Sequence, residues 1–186
     1  KNFLDASGGY GILTRLMRDH GFNFLWSDKY CENIFAKGFE YTSEKVSSLE
    51  LVTLFEVLEH VEEPLEFIKE LFEKKKSETL VFSTCLYPNG NPPKLDWWYY
   101  SFQEGQHISF YSQKTFLTIA KKLELNFYSL GSFFILTKKK MKFYGLKKIL
   151  FGNLFSNFFR IFLRKFNRSL IMDDHKKLLN KINNRT

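Results

Sequence analysis

The sequence predicts an α/β fold: a mostly parallel sheet in a three-layer sandwich, a C-terminal antiparallel hairpin, and a basic helical tail. Three observations predict it. Short apolar runs of strand length alternate four times with segments of helical period. The alternation closes on two strand-like runs joined by Gly131-Ser132. The charge then changes sign along the chain. Residues 138–186 hold 14 Lys/Arg against Asp173 and Asp174, a net +12, which leaves residues 1–137 with 14 bases and 18 acids, a net −4. This asymmetry divides the chain into a domain over 1–140 and a tail over 141–186, and it concerns partners rather than fold.

The elements follow in order. Residues 2–6 read as a strand ending in a glycine turn. Ile12, Leu13, Leu16 and Met17 have helical spacing, and Gly21 suits the residue after a helix. Residues 22–26 read as a second strand, and 31–37 as a short helix stopped by Gly38. Residues 49–55 form the next strand. Pro64 opens a helix continued by Leu65, Ile68, Leu71 and Phe72. A strand at 79–83 leads into a loop over 84–111, of a length that is usually functional or disordered. A helix at 115–123 precedes the strands 126–130 and 133–138. The 186 residues are 44% hydrophobic with 22 Phe, which excludes disorder as the main state. Cys31 and Cys85 cannot form a disulfide framework and read as buried thiols of a reducing, cytoplasmic setting. The chain starts at Lys1, so it reads as a fragment or a trimmed product.

The first turn carries the most chemistry. A strand ends at Asp5-Ala6, the chain turns through Ser7, Gly8, Gly9 and Gly11, and a helix starts. Glycines there permit close backbone approach to a ligand at a helix N-terminus. A dinucleotide fingerprint wants a third small residue, where this sequence has Thr14, and there is no lysine-bearing phosphate loop. Asp28 lies 17 residues after Gly11, where a carboxylate can accept both hydroxyls of a ribose.

These residues resemble the class I S-adenosylmethionine-dependent methyltransferases. Asp5 to Gly11 is similar to that family's first motif, with Ser7 where glycine is usual, and Asp28 matches its acidic residue after the second strand. Leu51 to Val61, containing Glu56-Val57-Leu58-Glu59-His60, is similar to its fourth-strand motif in the form of small-molecule members. Gly105 to Ser112 resembles the segment after the fifth strand. The resemblance covers about residues 2–138 and implies a Rossmann-like methyltransferase sheet. It implies S-adenosylmethionine as cofactor, held by Asp5, Ser7, Gly8, Gly9, Gly11, Asp28, Lys29, Phe55 and Glu56. It also implies N-terminal covering helices that would precede Lys1.

Methyl transfer from a sulfonium needs alignment and exclusion of water, and a hydroxyl acceptor gains from a base. His107 and His60 are the candidate catalytic residues; each could equally hold a loop through a hydrogen bond. Trp98, Tyr99, Tyr100 and Tyr111 are candidate walls of a substrate site. His60 and His107 could join Glu56 or Glu59 around a cation, but no His-x-x-x-His or paired-Cys spacing exists, so no metal is expected. In the tail, residues 143–168 separate a Phe/Leu face from a Lys/Arg face. That pattern suits peripheral contact with the inner face of a membrane or packing on the body; nucleic acid is the least favoured partner.

The expected activity is therefore methyl transfer, at oxygen, to a small-molecule or saccharide acceptor that could be lipid-linked. A non-catalytic scaffold retaining the fold and an NAD-type oxidoreductase are the rival readings.

Overall fold

Every strand expected from the sequence forms, within two residues, in the computed structural model, which describes residues 1–88, 91–103, 106–141 and 168–183. The chain divides into two units, Lys1–Val46 with Met141–Thr186, and Ser47–Lys140.

In the first unit β1 (Phe3–Ala6) and β2 (Phe24–Ser27) pair in parallel, Phe3 opposite Phe24 and Ala6 opposite Ser27. Helix α1 (Ile12–Asp19) connects them. Leu4, Ala6, Phe24, Ala36 and Phe39 are buried. The helix does not bury the face that its apolar spacing suggests. Ile12 and Leu16 are 53% and 51% exposed, whereas Thr14 and Arg18 are buried. Thr14 is small enough to lie against the strands, its hydroxyl 3.4 Å from Asp5 Oδ2. Arg18 is tolerated inside because it makes four hydrogen bonds, two of them to a carboxylate. Its Nε and Nη2 reach Asp174 at 2.8 and 2.6 Å, and its Nη1 reaches Asn23 Oδ1 and the Phe24 carbonyl at 2.7 and 2.8 Å. The guanidinium also lies 3.9 Å from the Phe39 ring centroid.

Asp174 belongs to the C-terminal helix, called α4 here (Ile171–Asn183), and its buried carboxylate also accepts from Arg15 at 3.0 Å. The described part of the tail thus docks through a buried ion pair, with Leu178 packed against Gly38. The membrane contact expected through 143–168 falls, apart from Arg168, outside the described residues. The short helix expected at 31–37 does not form. Instead the Asn33 side chain accepts the Ala36 N–H at 2.9 Å and donates to Glu40, which closes turns that compete with a helix. Cys31, expected to be buried, is exposed there, and Cys85 is half-buried.

In the second unit the strands lie in the order β3 (Leu51–Phe55), β4 (Thr79–Ser83), β6 (Phe133–Thr137), β5 (Asn126–Leu130). The first pair is parallel and the other two are antiparallel, with a left-handed Gly131 in the β5–β6 turn. Helix α2 (Pro64–Glu73) starts on its proline, and α3 (Gln113–Lys122) starts at a capping box between Ser112 and Thr115. Phe82 packs on Phe116 and Phe134, with centroids 4.7 and 5.5 Å away, at the centre of the core. The loop after β4 is closed at its base by a bridge between Leu86 and Tyr111. It contains a 3₁₀ turn at Trp98–Tyr100. Among the described residues no helix is long and apolar enough to cross a membrane.

Asp174→Ala should lower the unfolding free energy by about 3–5 kcal/mol, because Arg18 would stay buried without its partner. Burial pushes the Asp174 carboxyl up, but the Arg18 and Arg15 guanidiniums outweigh this and hold it below the usual carboxylate range. A depressed carboxyl stabilises the fold above its unfolded-state pKa and loses that contribution as pH falls through the folded value. Urea denaturation of both proteins should therefore differ most near neutrality and converge in acid; equal midpoints at neutral pH would refute the anchoring role.

Candidate functional site

In the first unit the turn after β1 is built from left-handed residues. Ser7, Gly9 and Gly11 have φ of 57°, 53° and 89°. The Gly8 N–H donates to the Ser27 carbonyl at 3.1 Å, and the Trp26 indole N–H to the Gly9 carbonyl at 2.9 Å, so the end of β2 holds the turn. Asp28 completes this. Its Oδ2 accepts the Gly9 N–H at 2.9 Å, and its Oδ1 accepts the N–H groups of Tyr30 and Cys31 at 2.7 and 2.8 Å. Burial raises the Asp28 carboxyl, but the backbone donors of Cys31, Tyr30, Gly9 and Lys29 outweigh it and hold the group below its ordinary value. With a single donor on Oδ2, a lone pair remains for a ligand hydroxyl. A Cβ on Gly9 would meet no atom within 4 Å, so the outer side of the turn is open. On Gly11 it would stand 2.8 Å from Asn33 Oδ1. Asp5, Ser7, Gly8, Gly9, Gly11, Asp28 and Lys29 all lie on or beside this turn; the Lys29 ammonium extends over the Tyr30 ring.

In the second unit the residues after β3 form a denser arrangement. Glu56 takes φ of 50° and receives Ser83 and Tyr99 hydroxyls on its two carboxylate oxygens. The Tyr99 hydroxyl also contacts Thr84 Oγ1 and accepts the Cys85 N–H, each at 3.1 Å. Burial pushes the Tyr99 phenol well above its ordinary value. A 3₁₀ turn at Leu58–His60 then places Glu59 inside, with no solvent exposure, and neither carboxylate oxygen has a hydrogen-bond partner. An ionised carboxylate in that state is costly unless a cation or donor meets it.

The Glu59 carbonyl accepts the N–H groups of Ile108 and Ser109 at 2.8 and 3.0 Å, and this brings His107 to His60. Their rings stand edge to face, with centroids 4.9 Å apart. His60 Nδ1 lies 2.8 Å from the Gln106 carbonyl and His107 Nδ1 lies 2.6 Å from the Tyr99 carbonyl. A carbonyl only accepts, so both Nδ1 atoms carry a proton, and in the neutral ring Nε2 is then the atom that can accept or ligate. One ligand atom from each of Glu59, His60 and His107 lies within 4.8 Å of the others. That donor set suits a divalent cation of borderline softness. No metal was expected from sequence because the three residues are not spaced as a local motif; the cluster is made by backbone bonds between distant segments.

An open cleft of about 590 Å³ adjoins Glu56 and Tyr99 and is also lined by Ser83, Thr84, Trp98 and Phe133. Phe55 supports it, edge to face with Phe133 at 5.5 Å. Two of the candidate substrate walls lie elsewhere. Tyr111 is buried, donates to the Leu58 carbonyl at 2.6 Å, and is pushed up to about 12 by burial. Tyr100 donates to the Pro93 carbonyl at 3.0 Å and stacks on Phe102.

The chain belongs to the methyltransferase domain family, which matches it over residues 1–130. Among solved structures, the small RNA methyltransferase HEN1 is similar at 16% identity with a TM-score of 0.51. That match covers 74% of this chain but only 23% of HEN1. The methyltransferase domain of a bacterial Hen1 is similar at 20% identity with a TM-score of 0.50, covering 75% of this chain and 90% of that one. A search of curated proteins finds no match. At these identities the structural likeness concerns the fold, a Rossmann-like methyltransferase α/β architecture. The expectation that nucleic acid is the least favoured partner is overturned by these neighbours, whose named member acts on small RNA.

Gly11→Ala should cost about 1–3 kcal/mol, because a left-handed alanine is strained and its Cβ collides with Asn33. The melting temperature should fall by several degrees; an unchanged value would show that the turn adapts.

Proposed function

We propose that the chain is an S-adenosylmethionine-dependent methyltransferase acting at oxygen, on a ribose hydroxyl at the 3′ end of an RNA. The observation that carries this reading is the buried Glu59 carboxylate, with no hydrogen bond on either oxygen, clustered within 4.8 Å with ring nitrogens of His60 and His107.

For the cofactor, support comes from the family match and from the fit of the turn after β1. S-adenosylmethionine, when bound, would supply a methyl group on a sulfonium, whose sulfur leaves as a neutral thioether without acid assistance. Asp28 has a free lone pair for its ribose hydroxyls and is kept ionised by backbone donors. The open side of Gly9 lets the backbone approach closely.

For the acceptor, Glu59, His60 and His107 would hold a divalent cation. Such an ion would supply Lewis acidity to a pair of hydroxyl oxygens and make the attacking one more acidic, so that its proton can pass to solvent as the methyl is transferred. RNA offers two adjacent free hydroxyls only on its 3′-terminal ribose, since internal 3′ oxygens are esterified. The carbonyls of Gln106 and Tyr99 hold Nδ1 of each imidazole, which in the neutral ring leaves Nε2 as the nitrogen that would ligate the ion. The likeness to a small RNA methyltransferase supports the same acceptor class.

Transfer of labelled methyl groups to a short single-stranded RNA, with Mn²⁺ or Mg²⁺ present, tests the proposal. Methylation should be lost on RNA whose terminal diol has been cleaved by periodate. Glu59→Gln and His107→Ala should each reduce the rate by at least about 100-fold while S-adenosylhomocysteine binding, measured by titration calorimetry, stays intact. Equal methylation of diol-free RNA, or an unaffected rate in both variants, would sink the reading.

A further inference from the structure

We infer that the cleft beside Trp98 is a stacking site for the base of the acceptor's terminal nucleotide, with the Trp98 indole as its platform. The inference rests on the RNA reading above and extends it to a binding site of its own.

Four observations meet here. Trp98 is 75% exposed, although an indole is among the side chains that gain most from burial. Its aromatic contact is with Tyr99 alone among the described ring pairs, edge to face at 5.2 Å, so a face of the indole remains available. A half-exposed Phe133 lines the same cleft. The volume of about 590 Å³ suits a compact planar group rather than a helix or a strand.

The floor decides which part of a nucleotide enters. It carries the Glu56 carboxylate and the hydroxyls of Ser83, Thr84 and Tyr99. A carboxylate repels a phosphate, so the anionic backbone is excluded. A neutral base is not excluded, and its edge can exchange hydrogen bonds with the hydroxyls. Tyr99 connects this cleft with the imidazoles. Its hydroxyl lies on the floor, its carbonyl holds His107, and its ring centroid is 4.5 Å from the His107 ring. A ribose presented to His107 therefore has its base within reach of Trp98, and the base of a terminal residue carries no further 3′ phosphate into the cleft. Aromatic stacking is indifferent to base identity, so the site would accept any terminal base.

The test is a binding cycle on the full chain with S-adenosylhomocysteine present. A 5′-labelled single-stranded RNA is compared with the same strand ending in an abasic ribose, on wild type and on Trp98→Ala, by fluorescence anisotropy. Trp98→Ala should weaken binding of the intact RNA roughly 5- to 100-fold. The abasic end should lose a similar factor on wild type and almost nothing further on the variant, and Trp98→Phe should restore most of the affinity. Because Trp98 is largely exposed, these substitutions leave the core untouched. If wild type methylates RNA but the two losses simply add, the stacking site is wrong and the function stands. If wild type binds no RNA, both fall.

Discussion

The second unit depends on one backbone interaction: the Glu59 carbonyl holds the N–H groups of Ile108 and Ser109. Two chain segments nearly fifty residues apart are thereby fixed in register. Further bonds work in the same direction, from Ser109 Oγ to the Val61 carbonyl and from the Tyr111 hydroxyl to the Leu58 carbonyl. The loop after β4 is thus laid along the 3₁₀ turn after β3. His107 meets His60 as a consequence, and both imidazoles present the same kind of nitrogen. The side chain of Glu59 is left inside without a donor, which is where a cation reading gains its force.

The first unit obeys a different constraint. Asp28 and the turn after β1 hold each other, because the carboxylate accepts from Gly9 while the Trp26 indole donates back to Gly9. The geometry of the turn is therefore formed in advance, which would lower the entropy lost by the binding proposed for it. Arg18 plays the corresponding structural role on α1. A buried guanidinium with four hydrogen bonds turns the polar side of the helix inward and joins it to α4.

The alternation of strand and helix, the hairpin and the turn around Gly8 to Gly11 were legible because each is a local property. Period, turn residues and caps act over a few positions. Asp28 was legible for the same reason, at a fixed offset from a glycine turn. The short helix at 31–37 misled because Asn33 and Glu40 offered the backbone side-chain partners that periodicity does not register. Tyr99, Tyr100 and Tyr111 look alike in an aromatic run, yet one floors a cleft, one stacks on a neighbouring loop residue and one is buried under the 3₁₀ turn.

The amino-acid order alone determined the layered α/β class, the strand positions and the carboxylate poised beside a glycine turn, since these arise from interactions between near neighbours. Tertiary structure alone decided that Glu59, His60 and His107 converge, that Arg18 rather than Leu16 faces inward, and that Trp98 stands in solvent. Those outcomes depend on which distant backbone groups find each other, and hydrogen bonds between remote segments leave no periodic trace in a sequence.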